Sequence, residues 1–313
     1  MIAPGPGGAA GQLERLLDAG LRDCRSLGGQ HGVGHYRCVL ADGRAAFAKV
    51  AGEQLSAGRA GFGAEARGLA WLGEAGAVPV PEVLGWDDGA LVISWVQAER
   101  AERRAAGRFG RELALLHAAG AAGYGAPWPG TIAGLPLPNE PLPQEAQTDG
   151  ARPDGARPDG AEEGWPEWYA SQRLLPYLRL AVDAGTFSAA DARLVETVAA
   201  RAAELAGPAE PPSRIHGDCW SGNLLWSGGR GVLIDPAAHG GHRETDLAML
   251  ALFGAPYLDQ IIASYQEAAP LAAGWQARVP LHQLHPLLVH VCLFGDAYRD
   301  AALHAARSAL AAS

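Results

Sequence analysis

The sequence predicts an α+β chain of two lobes: a small antiparallel-sheet N-lobe with one prominent helix over residues 1–96, and a mainly helical C-lobe over 97–313. Three observations predict it. Strand-like runs separated by turn signals crowd the chain up to Val96. Apolar residues at helical spacing dominate after Gln97. A length of 313 residues suits one large domain or two lobes, at roughly 150 residues per domain.

The elements follow in order. Leu13, Leu16, Leu17 and Leu21 predict a helix over Gln12–Arg25. A Gly-rich turn, Gly28 to Gly34, leads into a strand at His35–Leu40, and Asp42-Gly43 is a hairpin signal before a second strand, Arg44–Val50. Leu69 and Leu72 mark a helix over Phe62–Ala75, stopped at Gly76. Strands at Glu82–Trp86 and Ala90–Trp95 close the first lobe. Beyond it, Glu102–Ala119 is an amphipathic helix, and Ala121–Gly164 reads as a long Pro- and Gly-rich loop. Inside that loop, Asp149-Gly150-Ala151-Arg152-Pro153 recurs at Asp154 with no apolar face to stack, which predicts a disordered insertion near 145–163. Helices at Trp165–Ala184 and Ser188–Leu205, short strands at Leu224–Trp226 and Gly231–Ile234, and helices to the C-terminus complete the reading.

Composition narrows the function. With 25 Lys+Arg against 34 Asp+Glu, the net charge is −9. That argues against a nucleic-acid binder working by phosphate neutralisation and against a polybasic membrane-surface protein. No apolar run reaches the ~18–20 residues of a membrane span, and the first residues do not read as a secretory signal. Cys24, Cys38, Cys219 and Cys292 form no C-x-x-C, which fits reduced thiols in the cytoplasm and no structural zinc. Lys49 is the one lysine among the 25 basic residues, and Asn139 and Asn223 are the two asparagines. In a chain so poor in both, these residues mark positions that Arg or Asp cannot fill, since an ammonium is a compact point charge and a guanidinium a planar fork.

The chemistry centres on His216-Gly217-Asp218-Cys219-Trp220-Ser221-Gly222-Asn223 and the later Ile234-Asp235-Pro236. Each fragment alone reads as a turn or a strand end. Together they supply what phosphoryl transfer needs: a carboxylate, Asp218, to take the proton of an attacking hydroxyl, and an Asn carbonyl with a second carboxylate, Asn223 and Asp235, to hold Mg²⁺ against phosphates. The protein-kinase loop H-R-D-x-x-x-x-N has the same Asp-to-Asn spacing. Lys49, on a hairpin strand after the Gly-rich turn, is placed to bind nucleotide phosphates with Glu65 of the next helix as its partner, although a lone strand lysine is ordinarily a solvated edge residue. The turn itself, with Gly32 and Gly34, is neither a P-loop nor a dinucleotide fingerprint, but its backbone amides can cover phosphates. Glu244 and Asp246 read as loop-bracing or capping residues, His117 as a packed structural histidine and Cys219 as an inert neighbour.

These strings, with Gly241-His242-Arg243-Glu244-Thr245-Asp246-Leu247-Ala248, Trp165-x-x-Trp168-Tyr169-x-x-x-Arg173-Leu174 and Leu287-Leu288-Val289-His290 followed by Leu293-Phe294-Gly295, resemble the fructosamine kinase (ketosamine 3-kinase) family. The resemblance runs from about Leu27 to Tyr298 and implies the two-lobed protein-kinase-like fold of the aminoglycoside phosphotransferases. It implies ATP and Mg²⁺ as cofactors and a small-molecule or protein-bound ketosamine as substrate, phosphorylated at O3 in a deglycation repair role. In that reading Asp218 is the base, Asn223 and Asp235 hold the metal, and Lys49 and Glu65 anchor the nucleotide. The backbone of Ser94, Trp95 and Val96 reads adenine, and Trp220 and His290 face the ketosamine. A monomer is favoured. Two rival readings are another small-molecule kinase of this fold, acting on an aminoglycoside, choline or a sugar, and a nucleotide-binding scaffold without catalysis. Gln30-His31 and the insertion depart from the family pattern.

Overall fold

The computed structural model describes residues 6–30, 32–52, 61–143 and 164–312. The insertion expected near 145–163 lies outside the described residues. A helix, α1 (Pro6–Leu17), precedes three strands, β1 (Leu21–Gln30), β2 (Val33–Leu40) and β3 (Ala45–Ala51). Helix α2 (Phe62–Glu74) and strands β4 (Val83–Trp86) and β5 (Ala90–Ser94) follow. The five strands form one antiparallel sheet in the order β1-β2-β3-β5-β4.

Period-two alternation sorts the side chains of this sheet onto two faces. Tyr36, Cys38, Ala46, Ala48 and Val50 pack against Ala9 and Leu13 of α1. On the other face, Phe47, Leu91 and Ile93 meet Phe62, Ala66 and Leu69 of α2. Lys49, between Ala48 and Val50, is thereby turned toward the α2 side, and it pairs in register with His35 and Leu91.

The remainder is mostly helical: α3 (Arg103–Ala118), short strands β6 (Gly123–Tyr124), β7 (Gly130–Ile132), β8 (Leu135–Leu137) and β9 (Leu142–Pro143), then α4 (Trp165–Tyr169), α5 (Leu175–Asp183), α6 (Ala189–Ala200) and α7 (Ala202–Leu205). Strands β10 (Ser213–Ile215), β11 (Leu224–Ser227), β12 (Arg230–Leu233) and β13 (His239–Gly241) are interleaved before α8 (Glu244–Leu252), α9 (Leu258–Ala268), α10 (Trp275–Phe294) and α11 (Asp296–Ala311). No helix among the described residues is long and apolar enough to cross a membrane.

Four expectations are corrected. The first helix does not run to Arg25; it stops at Leu17, Asp18 turns left-handed (φ 46°), and Leu21 opens a strand whose amide bonds the Glu14 carboxylate. Leu21 fits the helical stripe by spacing, yet it packs at the sheet edge beyond Gly20. The segment 121–143 is not a bare loop but two short hairpin-like pairings, β6 with β9 and β7 with β8. The helix at 165–184 contains a π-turn, Ala170–Leu174, between α4 and α5. That extra residue per turn aims Arg173 inward, where it is buried over the Trp168 ring (4.3 Å) and bonds Asn139 and the Pro138 carbonyl. The helix expected from Ser188 breaks at Arg201 (φ −101°, ψ 11°). Cys24 and Cys38, distant in sequence, face each other across β1 and β2 as free thiols with sulfurs 2.8 Å apart.

Candidate active site

The loop after β10 is held from behind. Asp246, in the first turn of α8, is fully buried and accepts from the amides of His216 (2.7 Å) and Gly217 (2.9 Å) and from His117 Nε2 (3.1 Å). Burial alone would raise its pKa, but the His117 hydrogen bond and the other donors outweigh it and hold the carboxyl below its ordinary range. His117 also meets the Tyr265 hydroxyl at 2.8 Å, so it is a packed, bracing histidine. Gly217 adopts φ +79°, and a Cβ there would sit 2.3 Å from the Ala237 carbonyl, so a side chain is excluded twice over. His216 is buried: its Nδ1 accepts from the Asp218 amide (3.2 Å), leaving Nε2–H to donate to the Ile234 carbonyl (2.9 Å). One neutral ring therefore fixes the distance between Asp218 and the strand end that carries Asp235, and burial keeps its pKa low.

Asn223 completes the loop. Its Nδ2 donates to Asp218 Oδ2 (2.8 Å) and to the Asp218 carbonyl (3.0 Å), while its backbone carbonyl accepts from the Ile234 amide (3.0 Å). The Asn223 side-chain oxygen is then the free end of the amide. Asp235 follows in a left-handed conformation (φ 52°) that turns its carboxylate toward Lys49. Lys49 Nζ lies 2.8 Å from Glu65 and is also ion-paired to Asp235, so a strand, a helix and the Asp235 turn converge on one ammonium. Burial opposes the charge on Lys49, but both carboxylates override it and raise its pKa. Asp235 is held down chiefly by Lys49 against burial, and its side chain keeps 39% exposure toward the cavity. Burial, seconded by the charge of Asp235, pushes Glu65 up against the pull of Lys49. Burial also raises Asp218, to about 7, with the negative charge of Asp235 adding to it.

Lys49, Glu65, Asp218, Trp220, Asn223, Asp235 and His290 all line one cavity of about 760 Å³. The two asparagine and aspartate oxygens are hard donors of the kind Mg²⁺ takes, so the residues fit that ion. Gly32, Gly34, Ser94, Trp95 and Val96 are not among its lining residues. From the first hairpin, Gln30, Val33 and His35 reach the cavity instead, because β2 begins at Val33 and Gly34 is a strand residue. The amides of Ser94 and Trp95 are engaged by the carbonyls of Glu82 and Ala45, whereas Val96 donates to no backbone acceptor among the described residues.

Two groups of lining residues were beyond the sequence reading. The turn between β7 and β8, with Ala133 at φ 48° and Gly134 at φ 80°, forms part of the wall. Its Ala-Gly tip carried a turn signal, but the surrounding Pro-rich stretch hid the strands. An aromatic group, Phe253, Phe294 and Tyr298, borders Trp220 and His290. Phe294 stands in the Leu293-Phe294-Gly295 string that follows His290 in the family resemblance, without a role attached to it, and Phe253 and Tyr298 stand in no such string. The Trp220 ring lies over Gly222, where a Cβ would meet it at 2.3 Å. Gly222→Ala is therefore expected to swing the Trp220 ring off its seat, as a crystal structure of the variant would show.

A family model described as fructosamine kinase matches residues 22–144 and 147–312. A probable ketoamine kinase of Synechocystis sp. is 32% identical over 249 residues, 77% of this chain and 76% of that one. The crystal structure of a candidate fructosamine-3-kinase from Thermobifida fusca superposes with a TM-score of 0.88 at 48% identity, over 98% of this chain and 100% of that one. The streptomycin–ATP complex of APH(2″)-IIa, at 13% identity and TM-score 0.61 over 99% of this chain and 97% of that one, shares the fold.

Proposed function

The chain belongs to the fructosamine kinase family and has the protein-kinase-like fold, and from that premise we propose that it uses Mg²⁺ and ATP to phosphorylate a ketosamine on a sugar hydroxyl, O3. The observation that carries this reading is the convergence of Lys49, Glu65, Asp218, Asn223 and Asp235 on one cavity.

ATP lies between the lobes, residues 1–96 and 97–313, with Lys49 on its phosphates and Glu65 orienting the ammonium. Asn223 and Asp235 hold Mg²⁺, which when bound offsets the charge of the phosphates. Asp218 accepts the proton of the sugar hydroxyl as that oxygen bonds to the γ-phosphorus, and the bond to the bridging oxygen of ADP breaks. A carboxyl pKa near 7 suits this task, because a proton acceptor works best with a pKa close to the working pH. Trp220 and His290 face the ketosamine. Its phosphorylation destabilises the adduct and favours release of the amine, a deglycation role in the cytoplasm consistent with four free cysteines.

The test is ADP release from Mg·ATP across a panel of erythrulosamines, ribulosamines and fructosamines, an aminoglycoside and choline. Release dependent on a ketosamine is the expected result. Turnover of only the aminoglycoside or choline, or tight Mg·ATP binding with no turnover, would overturn the reading.

A further inference from the structure

The acceptor end of the cavity is built almost wholly of rings. Trp220 packs edge-on against Phe253 (centroids 5.7 Å apart), Phe253 against His290 (5.1 Å), His290 against Tyr298 (4.7 Å) and Phe294 against both His290 (5.6 Å) and Tyr298 (5.7 Å). This chain of contacts joins the catalytic loop, the end of α8, the last turns of α10 and the start of α11. All five rings line the cavity, and two are conspicuously open to it and to solvent: Phe294 at 51% and Trp220 at 36% exposure. Large apolar rings left exposed at a concave site mark a binding surface rather than a core.

The polar inventory is as informative. The charged residues lining the cavity, among the described ones, are Lys49, Glu65, Asp218 and Asp235, and all four are engaged, three in the Lys49–Glu65–Asp235 ion pairs and Asp218 with Asn223. Among the described residues the aromatic end offers no carboxylate for a free α-ammonium and no cation for a free α-carboxylate. Its polar groups are the Tyr298 hydroxyl, the Trp220 indole N–H, which donates to Asp218, and His290 Nε2, since His290 Nδ1 is spent on the Pro286 carbonyl (2.7 Å). A zwitterionic carrier placed here would meet no opposite charge on the described residues, and whatever water it gave up to the rings would go uncompensated. A secondary ammonium followed by an apolar or aryl group would instead meet ring faces, which attract a cation, and then apolar surface.

We infer that this aromatic wall is the subsite for the amine-borne substituent of the ketosamine, and that it selects adducts of arylalkyl or alkyl amines over adducts of free lysine. The inference rests on the ketosamine kinase reading above and specifies its substrate class. Trp220 lies two residues from Asp218 and lines the same cavity as Phe294 and Tyr298, so a ketose with its hydroxyl at Asp218 shares that cavity with the aromatic wall.

The experiment compares kcat/KM for adducts of phenethylamine, methylamine and lysine, each prepared on erythrulose, ribulose and fructose. The phenethylamine adduct is expected to exceed the lysine adduct at least tenfold on whichever sugar is used, with the difference carried by KM. Phe294→Ser, a change at an exposed position, is expected to lower kcat/KM for the phenethylamine adduct at least fivefold more than for the methylamine adduct, and Phe294→Leu to fall between. Turnover with equal or reversed preference overturns the subsite and leaves the kinase reading intact. No turnover of any ketosamine overturns both.

Discussion

Asp218→Asn is expected to lower kcat by roughly 10²–10⁴-fold, the range that a positioned proton acceptor contributes, while Mg·ATP still binds. The asparagine keeps the shape of the carboxylate and a carbonyl facing Asn223 Nδ2, now 2.8 Å from an Asp218 oxygen, so the loop holds its form and the loss isolates the proton-accepting role. The pH profile of the wild type provides an independent check. Burial and the charge of Asp235 raise the Asp218 pKa to about 7, and the active form is the carboxylate. Turnover should therefore rise with pH through an inflection above the ordinary carboxylate range and level off on the alkaline side. A cation beside Asp235 offsets the charge that raises Asp218, so more Mg²⁺ moves the inflection to lower pH. The acid limb should vanish from the residual rate of the Asn variant. Retention of more than a tenth of wild-type kcat would remove Asp218 from the chemistry.

Asp246→Ala is the largest expected loss of stability. It leaves the His216 and Gly217 amides and His117 without their acceptor in a site closed to water. Removing one partner of a buried charged network costs about 3–5 kcal/mol, a large part of a typical domain's total stability. Urea unfolding should show a lower midpoint, and Asp246→Asn, which retains one acceptor oxygen, should fall between. The pH dependence has a defined sign. A carboxyl whose folded pKa lies below its unfolded value stabilises fully above the unfolded pKa of about 3.9. That contribution is lost as pH falls through the folded value, so the gap between wild type and the alanine variant should narrow in acid. An unchanged midpoint at neutral pH would mean that the amides find other partners.

The parts of the site that were legible in the sequence are those whose spacing is short. Asp218 and Asn223 are joined by one tight loop, and Asp235 by one hairpin, so their order along the chain already dictates their proximity. Lys49 was legible because strand alternation places it on a single face. The opening of the chain was misread because Leu21 continues a helical spacing past Gly20, and apolar period alone does not register a left-handed residue such as Asp18. The hairpin at 130–137 was hidden because its strands are three residues each, too short for any periodic signal. His290, Phe294 and Tyr298 follow one another at four-residue steps, but Phe253, at the end of α8, joins them only through the packing of α8 on α10, which no local pattern encodes. Asp246 was legible as a brace, but its direct grip on the His216 and Gly217 amides is a tertiary fact.

Lys49 is the one lysine of the chain, with 12% of its side chain exposed and two carboxylates holding it as the ammonium. Condensation of a reducing sugar with an amine requires the neutral, nucleophilic nitrogen, and here that form is both scarce and sheltered. The described surface consequently offers sugars no free ε-amine at all. A chain proposed to act on products of glycation would thus offer that reaction little lysine, and a wild-type sample kept for weeks in ribose should gain little adduct on Lys49.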